Sequence, residues 1–164
     1  MRTDLPAGTI HRLTEHYGPS VRPWFDEVEA TLVTAAERWK VKVSGYHDAG
    51  WTSVVALGIG ADGRCVLIKA SPDVERYEQE RAALLHWQGA PVNRLLDFDD
   101  TDRLLLLNAV AGIPGGSPRP VEHQRRVAAS ISRLHGKTAP VDRSVPLLTD
   151  YYLGTVVPRV ETTR

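Results

Sequence analysis

The chain has 164 residues, 42% of them hydrophobic and 24% charged, the balance of an ordinary globular domain with enough length for its own core. Twenty basic and twenty acidic side chains cancel, which removes any bulk electrostatic case for nucleic acid or an anionic membrane as a partner. A single cysteine excludes an internal disulfide framework and an all-cysteine zinc site. No apolar run approaches the ~20 residues that span a bilayer, and "MRTDLPAGTI" lacks the apolar region of a signal peptide. A cytoplasmic location is therefore expected.

The first strong element is "SVRPWFDEVEATLVTAAERW". Pro23 suits a first helical turn, Asp26 and Glu27 favour the N-terminal end of the dipole, and Trp24, Val28, Leu32, Ala35 and Trp39 recur at helical spacing. The pattern then changes. "WTSVVALGI" and "RCVLIKA" are β-rich runs joined by "GADG", whose Asp62-Gly63 pair signals a hairpin turn. Cys65 lies in an apolar run and is expected to be inert core. A second helix follows, with Ser71 as N-cap and Pro72 in its first position. "VNRLLDFDD" and "RLLLLNAVAG" read as two further strands around an acidic, solvated turn, "GIPGGSPRP" as a loop or hinge, and "VEHQRRVAASISRLHG" as an amphipathic helix. Consecutive strands joined by tight turns make an antiparallel sheet, so the expected class is α+β.

Two charges within "CVLIKASPDVERYEQERAALLHW" need an explanation. Advancing about 100° per residue from Val74, Glu80 falls at about 240°, between Trp87 at about 220° and Leu84 at about 280°, whereas Glu75 and Glu78 fall outside that apolar sector or at its margin. In "CVLIKA" alternation puts Cys65, Leu67 and Lys69 on one face. Each charge has an ordinary explanation alone: Glu80 packs its stem on Trp87 with its head in water, and Lys69 snorkels at the sheet edge. Together they have another. In kinase-type sites a strand lysine holds nucleotide phosphates and a helix glutamate holds the lysine, which gives each buried charge a partner. Upstream, "GYHDAGWTSVVALG" reads as strand-turn-strand, with Gly45, Gly50 and the hydroxyls of Thr52 and Ser53 near its tip, where backbone N–H groups could cover phosphate oxygens. It is neither a Walker A sequence nor GxGxxG, and without Lys69 a plain hairpin turn is the better account of it.

"ERWKV", "WTSVVALGIGADGRCVLIKASPD", "ERAALLHWQGAPVNRLLDFDD" and "LLLLNAVAG", in this order, resemble the aminoglycoside/hydroxyurea antibiotic-resistance kinases over roughly residues 30–136. The resemblance implies that residues 1–111 are a protein-kinase-like N-lobe, an antiparallel sheet with an αC-type helix, together with an N-terminal helical extension. It implies that residues 112–164 are a linker and the start of a helical second lobe. It further implies that Lys69 positions the α- and β-phosphates of ATP, that Glu80 orients Lys69, and that Gly50, Thr52 and Ser53 lie over the phosphates. Leu107 would be the gatekeeper, with the Asn108 carbonyl and the Val110 N–H reading the adenine edge. The hinge departs from the family pattern at Asn108, Ala109 and Val110, so side-chain roles there do not carry over.

The family's histidine-glycine-aspartate loop and its metal-binding aspartate have no counterpart in this sequence: "LHGKTAP" has Lys137 where the aspartate would be needed, and Asp142 and Asp150 lack the expected neighbours. The expectation is an ATP-binding part of a small-molecule kinase, truncated before its catalytic loop and inactive alone, with Mg²⁺ ligands coming from elsewhere. The acceptor would be a hydroxyl of an aminoglycoside-type antibiotic. A non-catalytic nucleotide-binding or interaction module, and an α+β domain without nucleotide affinity, are the alternatives. A calcium loop at Asp97 fails for want of glycine and glutamate at its sixth and twelfth positions, and the six histidines show no ligand spacing beyond His11 and His16. Val127, Ala128, Ile131 and Leu134, with "VPLLTDYYLGTVV", form an apolar surface expected to fold back on the sheet or pair two copies as a homodimer.

Overall fold

The computed structural model describes residues 4–48, 50–89, 92–110 and 120–135. The elements in chain order are helix α1 (Ala7–Tyr17), a single 3-10 turn (Pro19–Val21) and helix α2 (Arg22–Arg38). Strands β1 (Lys42–Tyr46), β2 (Val54–Ile59) and β3 (Cys65–Ala70) follow, then helix α3 (Val74–His86), strands β4 (Leu95–Asp99) and β5 (Leu104–Asn108), and helix α4 (Val121–His135). All strand pairs are antiparallel, in the order β1-β2-β3-β5-β4. This is an α+β fold with a five-stranded sheet and helices before and after it, as in a kinase-like N-lobe.

The sheet is covered on both faces, which explains why "LLLLN" does not alternate. Leu104 and Leu106 join Val54, Ala56, Val66, Ile68 and Ala70 in a core closed by Leu13 of α1 and by Phe25, Val28, Leu32 and Ala35 of α2. Leu105 and Leu107 turn the other way, into a smaller cluster with Tyr77 of α3, Leu95, Leu67 and Leu84. A strand buried on both sides reads as a continuous apolar run.

Helix α1 is a helix that the sequence expectations did not include. Its residues do recur at helical spacing: Thr9 and Leu13 are buried, and Ile10 and Tyr17 pack against the same core. Other expectations are corrected in detail. The N-cap of α3 is Asp73, whose Oδ1 accepts from the Arg76 N–H at 3.1 Å; Ser71 is buried at the end of β3 and exchanges bonds with the Asp73 backbone instead. Gly45 lies inside β1 beside a register shift, not at a loop tip. Cys65 is exposed: it shares the face of Lys69, but α3 covers the other end of that face. The "GADG" turn forms as expected, with Gly63 at φ +79° and its N–H bonded to the Gly60 carbonyl at 2.9 Å.

The acidic run through the end of β4 and the turn after it is more than solvated. Asp97 accepts from Trp39 Nε1 at 2.8 Å, Asp99 pairs with Arg38 at 2.6 Å, and Asp100 accepts from Tyr77 at 2.7 Å and lies 3.2 Å from Arg81. It ties α2 and α3 to one end of the sheet. Burial and the Asp100 contact together push the Tyr77 phenol upward. For Asp99, burial pushes the carboxyl upward, but the Asp102 N–H, the Arg38 guanidinium and the Thr101 N–H outweigh it and leave the group below its usual value. A carboxyl lowered by folding stabilises the fold above its unfolded value of about 3.9, and that contribution is lost as pH falls through the folded value. Asp99→Asn should therefore lower stability in urea unfolding at pH 7 and leave it nearly unchanged at pH 2. An equal loss at both pH values would contradict this.

Helix α4 forms where the sequence places it, and Val121, Val127 and Ile131 are exposed on it. The hinge at 112–119 and the tail at 136–164, where folding back or pairing was expected, lie outside the described residues. No helix among the described residues is long and apolar enough to cross a membrane.

Candidate nucleotide site

Lys69 leaves β3 on the face that α3 covers, and α3 presents Glu80 to it. Lys69 Nζ donates to Glu80 Oε1 at 2.7 Å and Oε2 at 2.5 Å, while Glu78 points to solvent. The helical spacing and the strand alternation thus meet at one contact. The two side chains are 22% and 36% exposed, so the pair is half-open, with its charges still within reach of water or a ligand.

The pair borders a cavity of about 330 Å³ lined by Thr52, Lys69, Ser71, Arg76, Gln79, Glu80 and Ala83. Arg76 and Gln79 were not singled out from the sequence. A signal was available: Arg76 lies one turn before Glu80 and only about 40° away around the helix. Arg76 also approaches Asp73 at 3.6 Å, so the cavity has a second, partly committed cation.

Among the described residues of the upstream loop, the side chain that lines this cavity is Thr52. Ser53 is buried at the start of β2. Gly50 is needed for a steric reason, because a Cβ there would lie 2.3 Å from the Ser53 carbonyl oxygen. At the far end of the sheet, Leu107 is buried in the α3-side cluster. The N–H groups of Asn108 and Ala109 are held by the carbonyls of Arg94 and Cys65, both at 3.0 Å. Any reading of a base there falls to the Asn108 carbonyl and to the N–H of the exposed Val110. The Lys69 cavity does not extend to Asn108 or Val110. No cluster of three or more metal-ligating side chains occurs among the described residues.

A profile of the family described as aminoglycoside/hydroxyurea antibiotic resistance kinase matches residues 38–149, more than half of the chain. The chain belongs to that family. The match takes in β1 to β5, α3 and both members of the Lys69–Glu80 pair; α1 and most of α2 precede it. Among curated proteins, a hydroxyurea phosphotransferase from Kitasatospora aureofaciens is 28% identical over 104 residues, covering 63% of this chain and 31% of that protein. The kinase-family chain thus aligns with about a third of that relative's length. No solved structure matches it significantly.

Proposed function

We propose that the cavity beside Lys69 and Glu80 is the phosphate end of an ATP site. In this reading the chain is the nucleotide-binding part of an enzyme that transfers a phosphoryl group to a hydroxyl of a small antibiotic-type molecule. The observation that carries the reading is the Lys69–Glu80 contact at the wall of a cavity of about 330 Å³ in a chain of this kinase family. Burying part of a lysine and a glutamate is costly unless they serve each other or a ligand. A lysine held in place by a glutamate is also what phosphate binding requires.

The donor set fits phosphate: Lys69 as a held cation, Arg76 beside it, and the Thr52 hydroxyl. Residues 1–111 would form this lobe, and residues 112–164 would lead into a second one. Mg²⁺, which neutralises charge on the transferring phosphoryl group in such enzymes, would take its ligands from outside the described residues. The acceptor is a small hydroxyl compound, with an aminoglycoside or hydroxyurea as the two candidates that the family description and the relative's name supply.

No histidine-glycine-aspartate sequence occurs in the 164 residues, and without a carboxylate to orient the acceptor hydroxyl the transfer step lacks its positioning group. The 164-residue chain should therefore bind ATP yet transfer no phosphate to streptomycin or hydroxyurea in a radiolabel assay. Transfer above background that disappears in Lys69→Ala would mean that a different carboxylate serves, and would overturn the proposed division of labour.

A further inference from the structure

Helix α1 touches the loop between β1 and β2 at both of its shoulders. Arg12 Nε donates to the Gly50 carbonyl at 3.1 Å, and the Tyr17 hydroxyl donates to the Thr52 carbonyl at 2.9 Å. Asp48, just before the loop, is bound to the same helix: its Oδ1 accepts from Arg12 Nη2 at 2.6 Å and from the Thr9 hydroxyl at 3.0 Å. The Arg12 guanidinium, followed by the Thr9 hydroxyl, holds the Asp48 carboxyl below the usual carboxylate range. The carboxylate rests against the first turn of α1, where a Cβ on Gly8 would come within 2.7 Å of Oδ1. That end of a helix favours an anion, and α1 has no acidic residue of its own in its first turn and no side-chain cap.

The direction of these bonds matters. A trans peptide unit points its C=O and its N–H to opposite sides. With the Gly50 and Thr52 carbonyls drawn toward α1, the N–H groups of Trp51 and Ser53, which share those peptide planes, turn away from it. Thr52, between them, lines the Lys69 cavity. Two backbone donors turned to one side of a tight loop make an anion-holding concavity.

We propose that α1 is a positioning element for the phosphate site: Arg12 and Tyr17 fix the loop so that the Trp51 and Ser53 N–H groups are set, before ligand arrives, to receive phosphate oxygens beside Lys69. Neither residue touches the ligand. Both act by removing the ordering cost that a free loop would otherwise add to binding. This inference rests on the ATP reading of the cavity.

The test compares ATP with adenosine, which shares the base and sugar but has no phosphate, in titrations of the 164-residue chain and its Tyr17→Phe, Arg12→Ala and Asp48→Asn variants. Amide hydrogen exchange at residues 51–53 is followed in parallel. Arg12→Ala should weaken ATP about five- to tenfold, and Tyr17→Phe about threefold, for the loss of one or two hydrogen bonds. Adenosine affinity should stay level while loop exchange accelerates. Tyr17→Phe keeps its ring packing, so it reports even where Arg12→Ala folds poorly. Equal weakening of ATP and adenosine would reduce α1 to a structural brace and overturn the proposal. So would faster loop exchange with unchanged ATP affinity. Equal ATP binding by the parent chain and by Lys69→Ala would instead remove the ATP reading itself, and the positioning role with it.

Discussion

Replacing Lys69 by alanine should weaken ATP binding about ten- to hundredfold, the range expected when a charged hydrogen bond of about 1.5–3 kcal/mol to phosphate is lost. Glu80→Gln, which keeps the shape and removes the charge, should weaken it less, about three- to tenfold, because the lysine remains but is no longer held. The fold should tolerate both changes. The pair is 22% and 36% exposed, so water can solvate whichever partner is left. The cost to stability should be about 1 kcal/mol, rather than the several kcal/mol of a fully buried pair. Titration calorimetry together with urea unfolding separates the two effects. Unchanged ATP affinity in Lys69→Ala would dispose of the nucleotide site. A stability loss above about 3 kcal/mol would mean that the pair is a structural ion bridge in a drier environment than its exposure indicates.

The second large effect concerns the core. Ile68 is fully buried on β3, the middle strand of the sheet, against the face closed by α1 and α2. Ile68→Ala should cost about 3–5 kcal/mol, the transfer term plus an unfilled cavity. That is a large part of the roughly 5–15 kcal/mol by which domains are stable. Val33→Ala, on the exposed side of α2, should change stability by no more than about 0.5 kcal/mol. Because Lys69 is the next residue along the strand and faces the opposite side, Ile68→Ala should lower the urea midpoint while leaving ATP affinity within about twofold under native conditions. A cost below about 1 kcal/mol would mean that the helices are not seated on the sheet as described.

Membership in the kinase family makes these two experiments complementary. Lys69 lies on the face of β3 toward α3, where the nucleotide is proposed to bind, and Ile68 lies in the core on the face toward α1 and α2. Residues one position apart on the same strand therefore answer different questions.

The sequence by itself determined which side each residue takes within its own element. Helical spacing sent Glu80, and not Glu78, toward the sheet, and strand alternation put Lys69 on the face opposite Ile68. The "GADG" turn and the extent of α4 follow from equally local rules. Only the tertiary structure decided what covers each face. The spacing of Ile10, Leu13 and Tyr17 in α1 is a local signal, but where that helix sits is set by Asp48 and Gly50, more than thirty residues away. Cys65 and Lys69 share one face by alternation, yet Cys65 is exposed because α3 reaches only the other end of the strand. The same holds for the acidic turn: a run of aspartates reads as solvated until Arg38, Trp39, Tyr77 and Arg81 arrive from α2 and α3. Periodicity describes a residue's direction relative to its own backbone, whereas cover, partners and ion pairs depend on contacts between segments far apart in the chain.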